Sequence, residues 1–406
     1  MNILVVSSSA PPKNSSESLQ TGKYLKYMSL HHDITLLTTQ IVRGWEPEDK
    51  SMQAYVDKVK ERIEMPALSP FIITLINRIY PLAMIPDDNA FFFWNHKQAV
   101  RKIKTKPDLI FSRSAPFSSS VMGMKLAKHF TVPWIMHLSD VWSDSPFYNW
   151  GPAIKKRQGM LEKNCLKHAN MVTLTSQKTI SYYREKYPEF KSKFRFLPNV
   201  FDASDVNTAK PEASVKMRFV FTGRLYGNRS IHPIIHAFEK AISLRPDIED
   251  KCELILAGFF DQENIDCVDN ATASFIKYVG PLDMNKALKL QQHAHVLVLI
   301  DSLHEDPKYQ MFFPSKLLDY LAAKRFIVAI TGRESTTHAV VEGKCGKCFD
   351  ISSIQELPSF IISLIDRFLK KDILFFETTQ NIDEYSAEYN AERLTNMFAQ
   401  LLNGHE

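Results

Sequence analysis

Short apolar runs alternate with helical patterns along most of this chain, and they do so in two successive series. The first series comprises residues 2–8, 33–39, 107–114, 132–140, 169–176 and 193–202. The second comprises residues 217–225, 252–259, 276–280, 295–301 and 326–331. Because strands that alternate with helices build parallel sheets, the pattern predicts two doubly wound α/β domains.

A polar, proline-containing stretch at residues 203–215 separates the two series and is the natural domain boundary. At 406 residues the chain is also too long for one ordinary domain. A last helical pattern, at residues 387–402, follows a polar stretch at 376–386. From its position alone, this segment either closes the second domain or crosses back onto the first.

The formal charge of +5 is spread unevenly along the chain. Residues 1–203 have 28 Lys and Arg against 17 Asp and Glu, a net of +11, whereas residues 204–406 have 22 against 28, a net of −6. Anionic lipid surfaces or phosphorylated substrates suit the basic half. Nucleic acid is not an expected partner, because aromatic residues are not interleaved with the basic runs.

The first residues, MNILVVSSSAPP, lack the basic start of a signal peptide, and no apolar run reaches the ~18–20 residues that span a bilayer. The chain has five cysteines in no repeating frame, which is typical of a reducing compartment. We therefore expect a cytoplasmic protein. A C-x-x-C pair at residues 345–348 has no second ligand pair at zinc-finger spacing, and we interpret it as a turn before a strand.

Residues 55–86 interrupt the alternation with basic positions and a long apolar stretch that prolines break. One interpretation is an interfacial element, with basic side chains on lipid headgroups and apolar side chains at the acyl boundary. The other is a helical insertion that packs on the core. The sequence favours neither.

The segment FFPSKLLDYLAAKRFIVAITG, residues 312–332, has a Pro-Ser-Lys at the start of an apolar helical pattern. A helix start offers unsatisfied N–H groups and a partial positive charge, which suit an anion. Pro314 suits the first turn, Ser315 adds a hydroxyl donor, and Asp319 lies one turn further on the same face. A phosphate at the start of the helix and a ribose diol one turn further along would together indicate a nucleotide site. The alternative is an ordinary buried helix with a serine cap.

A second segment, FVFTGRLYGNRS at residues 219–230, has Gly223 and Arg224 at a strand end and Arg229 five residues later. Glycine lets the backbone approach a ligand closely, and two guanidinium groups can hold a diphosphate. The chain has neither a G-x-G-x-x-G fingerprint nor a P-loop, so nicotinamide enzymes and P-loop phosphotransferases are disfavoured.

These segments resemble the retaining glycosyltransferases of family 4. The resemblance extends in order over nearly the whole chain, through IPDDNAFFFW (85–94), SRSAPFSS (112–119), HLSDVWSD (137–144), LPNVFD (197–202), FTGRL with NRS, and PSKLLDYLAA. The branch is that of bacterial polysaccharide and O-antigen synthesis. The resemblance implies a GT-B fold, in which two Rossmann-like α/β domains face an interdomain cleft. It also implies transfer of a sugar from a nucleoside-diphosphate sugar with retention, with no cofactor and no required metal.

The resemblance assigns the donor-side residues one by one. Arg224 and Arg229 correspond to the family's pair on the donor diphosphate, with arginine at the second position instead of the usual lysine. Ser315 would bind the diphosphate beside Gly223, and Asp319 would hold the ribose hydroxyls in place of the usual glutamate.

Two positions depart from the family pattern. Met311 stands where the family often has a glutamate that positions the donor sugar. The usual glycine pair after the first strand is replaced by PPKNSSES, residues 11–18, in which Ser15 and Ser16 can still supply N–H and hydroxyl donors to a phosphate.

Acceptor-side candidates follow a predicted strand of the first domain, at the carboxyl end where open α/β sheets bind ligands. Asp140 is the first candidate for a catalytic polar contact and His137 the second, although a structural histidine is equally plausible. Asp144 is interpreted as a helix cap. Asp87 and Asp88 are interpreted as turn and cap residues that line the acceptor side.

The predicted domains are residues 1–203 with 376–406 on the acceptor side, because the family's last segment returns to the first domain, and residues 204–375 on the donor side. The predicted function is a retaining glycosyltransferase with a lipid-linked or surface-polysaccharide acceptor, cytoplasmic and peripheral on the inner membrane face. Two alternatives stay open: a nucleotide-sugar 2-epimerase of the same fold, and a non-catalytic relative that binds nucleotide-sugar.

Overall fold

The structure is a computed structural model that describes residues 1–42, 47–205, 214–225, 229–271, 274–304, 306–372 and 382–403. Chain contacts divide it into two compact units. Unit 1 comprises Met1–Asp202 and Glu384–Glu406, and unit 2 comprises Ala203–Asp383.

The strands have the following bounds: β1 Asn2–Val6, β2 Asp33–Thr39, β3 Glu61–Met65, β4 Leu109–Ser114, β5 Trp134–Leu138, β6 Met171–Leu174, β7 Phe194–Phe196, β8 Met217–Thr222, β9 Cys252–Ala257, β10 Ile276–Tyr278, β11 Val296–Ile300, β12 Phe326–Ile330 and β13 Gly346–Phe349. The helices have the following bounds: α1 Ser16–Met28, α2 Pro70–Ile79, α3 Ala90–Trp94, α4 His96–Lys102, α5 Ser118–Phe130, α6 Pro152–His168, α7 Gln177–Lys186, α8 His232–Leu244, α9 Gln262–Asp269, α10 Met284–Gln292, α11 Pro307–Gln310, α12 Ser315–Ala322, α13 Thr336–Val341, α14 Leu357–Leu369 and α15 Ala387–Asn403.

Unit 1 contains a seven-stranded sheet in the order β3-β2-β1-β4-β5-β6-β7, with parallel pairing throughout. Strand β1 lies inside the sheet, between β2 and β4, and it therefore buries Ile3, Leu4 and Val5. Helix α15 contributes Leu394 and Phe398 to this core, and it packs against α1.

Unit 2 contains a six-stranded parallel sheet in the order β10-β9-β8-β11-β12-β13. Its core joins β8 and β11 to helices α8 and α14 through buried side chains such as Phe219, Phe238 and Leu364. The fold-class prediction of two doubly wound parallel α/β sheets is confirmed.

Strand β3 was not predicted from sequence, and it lies in the region where the alternation breaks down. Its sequence, ERIEM, is charged, and among the described strands it pairs with β2 alone, at the sheet edge. Charged residues are common on edge strands because they discourage further pairing. A hydropathy pattern for a buried strand does not detect such a segment.

The C-x-x-C interpretation also needs a small correction. Residues 346–348 belong to β13 itself, so the pair does not simply precede a strand. Cys345 and Cys348 are both buried and reduced. Within the described part of the chain, no helix has the length and apolar character needed to cross a bilayer.

Candidate functional site

Four strands of unit 2 end in residues that line one edge of the sheet. Gly223 follows β8, Gly258 follows β9, Asp301 follows β11, and Thr331 follows β12. Because the strands are parallel, their carboxyl ends meet at the same edge, where open α/β sheets bind ligands.

Helix α12 is fixed to this edge through its tyrosine. The backbone N–H of Thr222, at the end of β8, donates to the Tyr320 hydroxyl at 2.9 Å, and Tyr320 is fully buried. The Thr222 hydroxyl accepts from the Gln291 side chain at 2.8 Å. These contacts place the first turn of α12 next to Gly223.

The backbone conformation at position 223 explains why glycine is needed there, next to Lys316. A β-carbon at this position would lie 2.6 Å from the Lys316 Nζ, and Gly223 has φ +133°, which other residues rarely adopt. Gly258, with φ +135°, is even more restricted, because its β-carbon would lie 1.7 Å from the Gly223 carbonyl oxygen. The backbones of Gly223 and Gly258 therefore pack directly against each other, with no room for a side chain at Gly258.

The Lys316 ammonium is an unsatisfied charge at this edge. Its Nζ is buried, and the described part of the chain supplies it with no hydrogen-bond partner. It lies 4.3 Å from the centre of the Phe221 ring. Burial, with a smaller effect of Arg229, lowers the pKa of Lys316 to about 7, and Asp301 opposes this shift. A buried ammonium in this position favours an incoming anion.

Arg229 lies close to the Lys316 ammonium. Its Nη2 is 3.5 Å from the Asp301 Oδ1, and Asp301 also accepts from the Thr337 hydroxyl at 2.9 Å. Arg224 is exposed, and its guanidinium carbon lies 4.9 Å from the centre of the Phe259 ring. The structure thus brings Gly223, Arg229 and Lys316 together, with Arg224 on the solvent side of the strand end.

The start of α12 differs from the serine-capped helix that the sequence allowed. Pro314 is the N-cap residue, Ser315 is the first helical residue, and no side chain caps the helix. Because the first N–H groups of a helix have no partner within it, an uncapped start keeps donors for a ligand. Asp319 is half-buried one turn further along the helix. Met311, at the position of the family's glutamate, is buried.

Lys316 and Gly258 are site residues to which the sequence analysis gave no role. The signal for Lys316 was the cation in the Pro-Ser-Lys segment, but a sequence does not show that an ammonium is buried. The signal for Gly258 was a glycine directly after an apolar run, the same signal that identified Gly223.

In unit 1, His137 lies within β5 and is fully buried. Its Nδ1 is 2.9 Å from the Thr173 hydroxyl, whereas its Nε2 has no hydrogen-bond partner in the described part of the chain. Burial and, to a smaller extent, Arg113 hold the pKa of His137 well below its usual value, so the ring is neutral. This environment favours the structural role that the sequence also allowed. Asp140 is half-buried in the loop that follows β5.

Asp144 does not cap a helix, contrary to its interpretation from sequence. Gly151 is the N-cap of the next helix, α6. Asp144 instead forms ion pairs with Lys155 at 3.1 Å and Lys186 at 2.6 Å, and it accepts from the Tyr182 hydroxyl at 2.6 Å. Burial alone would raise the pKa of Asp144, but the contacts with Lys186 and Tyr182 outweigh it and lower the pKa.

The predicted phosphate loop lies at the start of α1. Ser15 is the N-cap: its hydroxyl accepts from the Ser18 N–H and lies 2.6 Å from the Ser9 hydroxyl. Ser16 is exposed at the first helical position. Glu17 follows, and it accepts from the fully buried Arg113 at 3.0 Å. Burial raises the pKa of Glu17, although Arg113 opposes this shift.

One group of side chains in the described residues has the composition of a metal site. Ligand atoms of His338, Glu342 and Cys348 lie within 4.8 Å of one another. The Glu342 carboxylate is already engaged, because it accepts from the Cys348 N–H at 2.6 Å. Burial and Glu342 also raise the pKa of the Cys348 thiol, which disfavours the thiolate that a metal requires.

Comparison with protein-family models and with curated proteins finds no match. Comparison with solved structures finds similar folds over essentially the whole chain. Anabaena HepE in complex with UDP-glucose is 14% identical, with a TM-score of 0.64 over 99% of this chain and 100% of that one. Sucrose-phosphate synthase from Thermosynechococcus elongatus is 13% identical, with a TM-score of 0.66 over 100% of both chains.

A third similar structure has a different activity. It is a protein from Listeria monocytogenes assigned as a UDP-N-acetylglucosamine 2-epimerase, 10% identical, with a TM-score of 0.59 over 97% of this chain and 94% of that one. At these identities the likeness shows the fold, which is GT-B with two Rossmann-like domains.

Proposed function

We propose that this chain is a glycosyltransferase that uses a nucleoside-diphosphate sugar. The observation that carries the proposal is the buried Lys316 ammonium, which lies beside Arg229 at the uncapped start of α12. Two cations and free backbone N–H groups at the carboxyl edge of a parallel sheet suit a diphosphate. Solved structures with this fold include one that holds UDP-glucose, which supports the proposal.

Each donor-side residue then has a distinct task. The N–H and hydroxyl groups of Ser315, with Lys316 and Arg229, hold the diphosphate, and Gly223 leaves room for it. Arg224 binds it from the solvent side, and Asp319 accepts hydrogen bonds from the ribose hydroxyls. These cations also stabilise the charge that develops on the diphosphate as the bond to the sugar breaks.

The finer assignment rests on the resemblance to the bacterial polysaccharide branch of family 4. We propose that the transfer proceeds with retention and without a metal, and that the departing diphosphate accepts the proton of the acceptor hydroxyl. Ser15 and Ser16 would contact phosphate from unit 1, and Asp140, with His137 as the second candidate, would contact the acceptor or the sugar. The acceptor is a lipid-linked or surface glycan at the inner membrane face.

Incubation with a panel of nucleoside-diphosphate sugars, with and without glycan acceptors, tests this proposal. A transferase releases nucleoside diphosphate and enlarges the acceptor by one sugar, which mass spectrometry detects. The epimerase alternative, which one similar structure favours, predicts conversion of the donor with no acceptor present. Binding without either reaction would identify a non-catalytic relative, an alternative that the buried Met311 at the glutamate position favours.

Donor affinity is expected to decrease as the pH rises above neutrality. The pKa of Lys316 is lowered to about 7, so the ammonium loses its charge just above this pH, whereas a bound diphosphate would keep it protonated. The Kd for a nucleoside-diphosphate sugar should therefore increase roughly tenfold between about pH 7 and about pH 8.5. Calorimetric titration measures this, and the sugar diphosphate diester does not itself titrate there. A Kd independent of pH would contradict the role of Lys316.

The pH dependence of stability should have the opposite sign. The folded pKa of Lys316 lies below the ordinary value of 10.5, so the unfolded chain binds more protons between these two values. The contribution of Lys316 to the free energy of unfolding therefore increases with pH across this window. Opposite trends in binding and stability distinguish a titrating site lysine from general alkaline damage.

Helix α2 provides the membrane contact in our proposal. Only Ile73 is buried among its residues, and it packs against Met84 and Ala90. Phe71 is 78% exposed and Ile79 73% exposed. The helix therefore combines the two interpretations from sequence: one stripe packs on unit 1, and the remaining apolar side chains face solvent. An apolar helix face in the basic half of the chain suits an anionic lipid surface.

Substitution of Phe71→Ser together with Ile79→Ser is expected to weaken binding to anionic vesicles at least tenfold. Each large apolar side chain contributes about 1.5–3 kcal/mol when it leaves water. Co-sedimentation at low salt measures the binding. The control is Leu244→Ser with Ile351→Ser, which removes two apolar side chains from unit 2 that are 54% and 53% exposed. Failure of the unmodified protein to sediment with vesicles would end the membrane proposal.

A further inference from the structure

Unit 1 contains a cavity of about 530 Å³ that shares only Ser15 with the donor-site proposal. This volume lies within the range of roughly 300–1,000 Å³ that is typical of small-molecule sites. Its walls come from the start of α1, the end of α2 and the segment after it, the loop before α5, and the start of α6 with the loop before it. The lining includes aromatic and carboxylate side chains: Tyr148, Trp150, Glu17, Asp87 and Asp88.

An aromatic pair forms one side of the cavity. The rings of Tyr148 and Trp150 are stacked, with centroids 4.8 Å apart and planes only 2° from parallel. Tyr148 is exposed and Trp150 half-buried. The outer face of the stacked pair is a flat apolar surface, and the Tyr148 hydroxyl and the Trp150 ring N–H lie at its edges. A sugar ring has a matching face of C–H groups and a polar rim of hydroxyl groups.

Three carboxylates supply hydrogen-bond acceptors to the lining of the cavity. Asp87 is held by the N–H and hydroxyl of Ser118, and Asp88 accepts from the Asn77 side chain at 3.0 Å. Glu17 is paired with Arg113 at 3.0 Å, which balances its charge. Each carboxylate oxygen has two lone pairs, so all three carboxylates can accept further hydrogen bonds from hydroxyl groups.

The charge of this lining restricts the ligand. Among the described residues that line the cavity there is no lysine, arginine or histidine. The charge of Glu17 is balanced by Arg113, whereas Asp87 and Asp88 have no cation in the lining. A uronic acid ring on the Tyr148–Trp150 surface would therefore meet like charges, which disfavour binding, whereas a neutral or amine-bearing ring would not.

The geometry points to a site for an uncharged or amino sugar, with the ring on the Tyr148–Trp150 surface and its hydroxyl groups on the carboxylates. The inference rests on the proposed function, since this sugar would be the terminal residue of the acceptor. Helix α2 supports a lipid-linked form of that acceptor. Its Asn77 lines the cavity, while Phe71 and Ile79 of the same helix are exposed.

Three methyl glycosides that share one ring skeleton test the site: methyl glucoside, methyl glucosaminide and methyl glucuronide. Saturation-transfer NMR with the full chain should detect the first two and not the third. Trp150→Ala should weaken their binding at least tenfold, whereas Phe147→Ala should not, because Phe147 is exposed in the same loop but does not line the cavity. Asp88→Asn, an exposed and near-isosteric change, should weaken the glucosaminide more than the glucoside.

Binding of the glucuronide as strong as that of the glucoside, or no binding of any of the three glycosides, would overturn the inference. Equal loss in the Phe147→Ala and Trp150→Ala variants would also overturn it. Binding of a nucleoside-diphosphate sugar should be unchanged in Trp150→Ala, which shows that the variant is folded. Glycoside binding without any sugar transfer would leave the site intact and contradict the proposed function, so the two failures are distinguishable.

Discussion

Substitution of Lys316→Met is expected to reduce the affinity for the nucleoside-diphosphate sugar about 100-fold while it stabilises the folded chain. Loss of one charged partner in a buried contact costs about 2–5 kcal/mol, and about 2.7 kcal/mol corresponds to 100-fold. Methionine has a similar length, and its terminal atoms can replace the Lys316 ammonium against the Phe221 ring, which now lies 4.3 Å from that Nζ. Calorimetric titration gives the affinity, and urea unfolding gives the stability.

The expected gain in stability depends on the environment of the Lys316 ammonium when no ligand is bound. Lys316 Nζ is buried with no hydrogen-bond partner in the described residues. Its removal should therefore raise the free energy of unfolding by about 2 kcal/mol, the usual cost of an unsatisfied buried polar group. A residue with a purely structural role would show the reverse, with lower stability and unchanged affinity for the donor.

Lys289→Met is the matched control for this prediction. Lys289 is an exposed lysine on helix α10, so the change removes the same charge from the same unit. It should alter neither donor affinity nor stability appreciably, because the contribution of an exposed charge is small. A similar loss of affinity in both variants would mean that Lys316 acts only through the overall charge of unit 2.

Substitution of Gly258→Ala is expected to lower the free energy of unfolding by about 4 kcal/mol or more and to abolish donor binding. The new β-carbon would lie 1.7 Å from the Gly223 carbonyl oxygen, so the backbone of one strand end must move. This displacement changes the position of Gly223 relative to Lys316. Urea unfolding and calorimetric titration measure the two effects.

Gly343→Ala separates backbone strain from steric collision. Gly343 also has a positive φ, +66°, but a β-carbon there would have nothing within 4 Å. This variant should lose only about 1 kcal/mol, the cost of a left-handed conformation for alanine, and should bind donor normally. If Gly258→Ala were no more destabilising than Gly343→Ala, the close packing of the two strand ends would be wrong.

The alternation of apolar runs and helices predicted the sheets because this periodicity reflects burial on both faces of a parallel sheet. Residues 33–39, for example, match β2 in full. The edge strand β3 escaped prediction because its residues are charged and lie at one side of the sheet. Only neighbours from distant parts of the chain show that such a segment pairs as a strand.

Part of the candidate site could be predicted, because a residue type such as glycine indicates a particular backbone conformation. A glycine at a strand end identified Gly223, whose positive φ requires it. The burial of Lys316 and the ion pairs of Asp144 could not be predicted, because both depend on side chains far away in sequence. The proline N-cap of α12 was also missed, since Pro-Ser suits either residue as the cap.

A crystal structure with the nucleoside-diphosphate sugar that gives the largest thermal shift tests the central claim most directly. We predict that the diphosphate oxygens lie within hydrogen-bond distance of the Lys316 ammonium and the Ser315 N–H, with Arg229 beside them. A diphosphate bound elsewhere, with the Lys316 ammonium still buried against Gly223 and without a partner, would contradict the account.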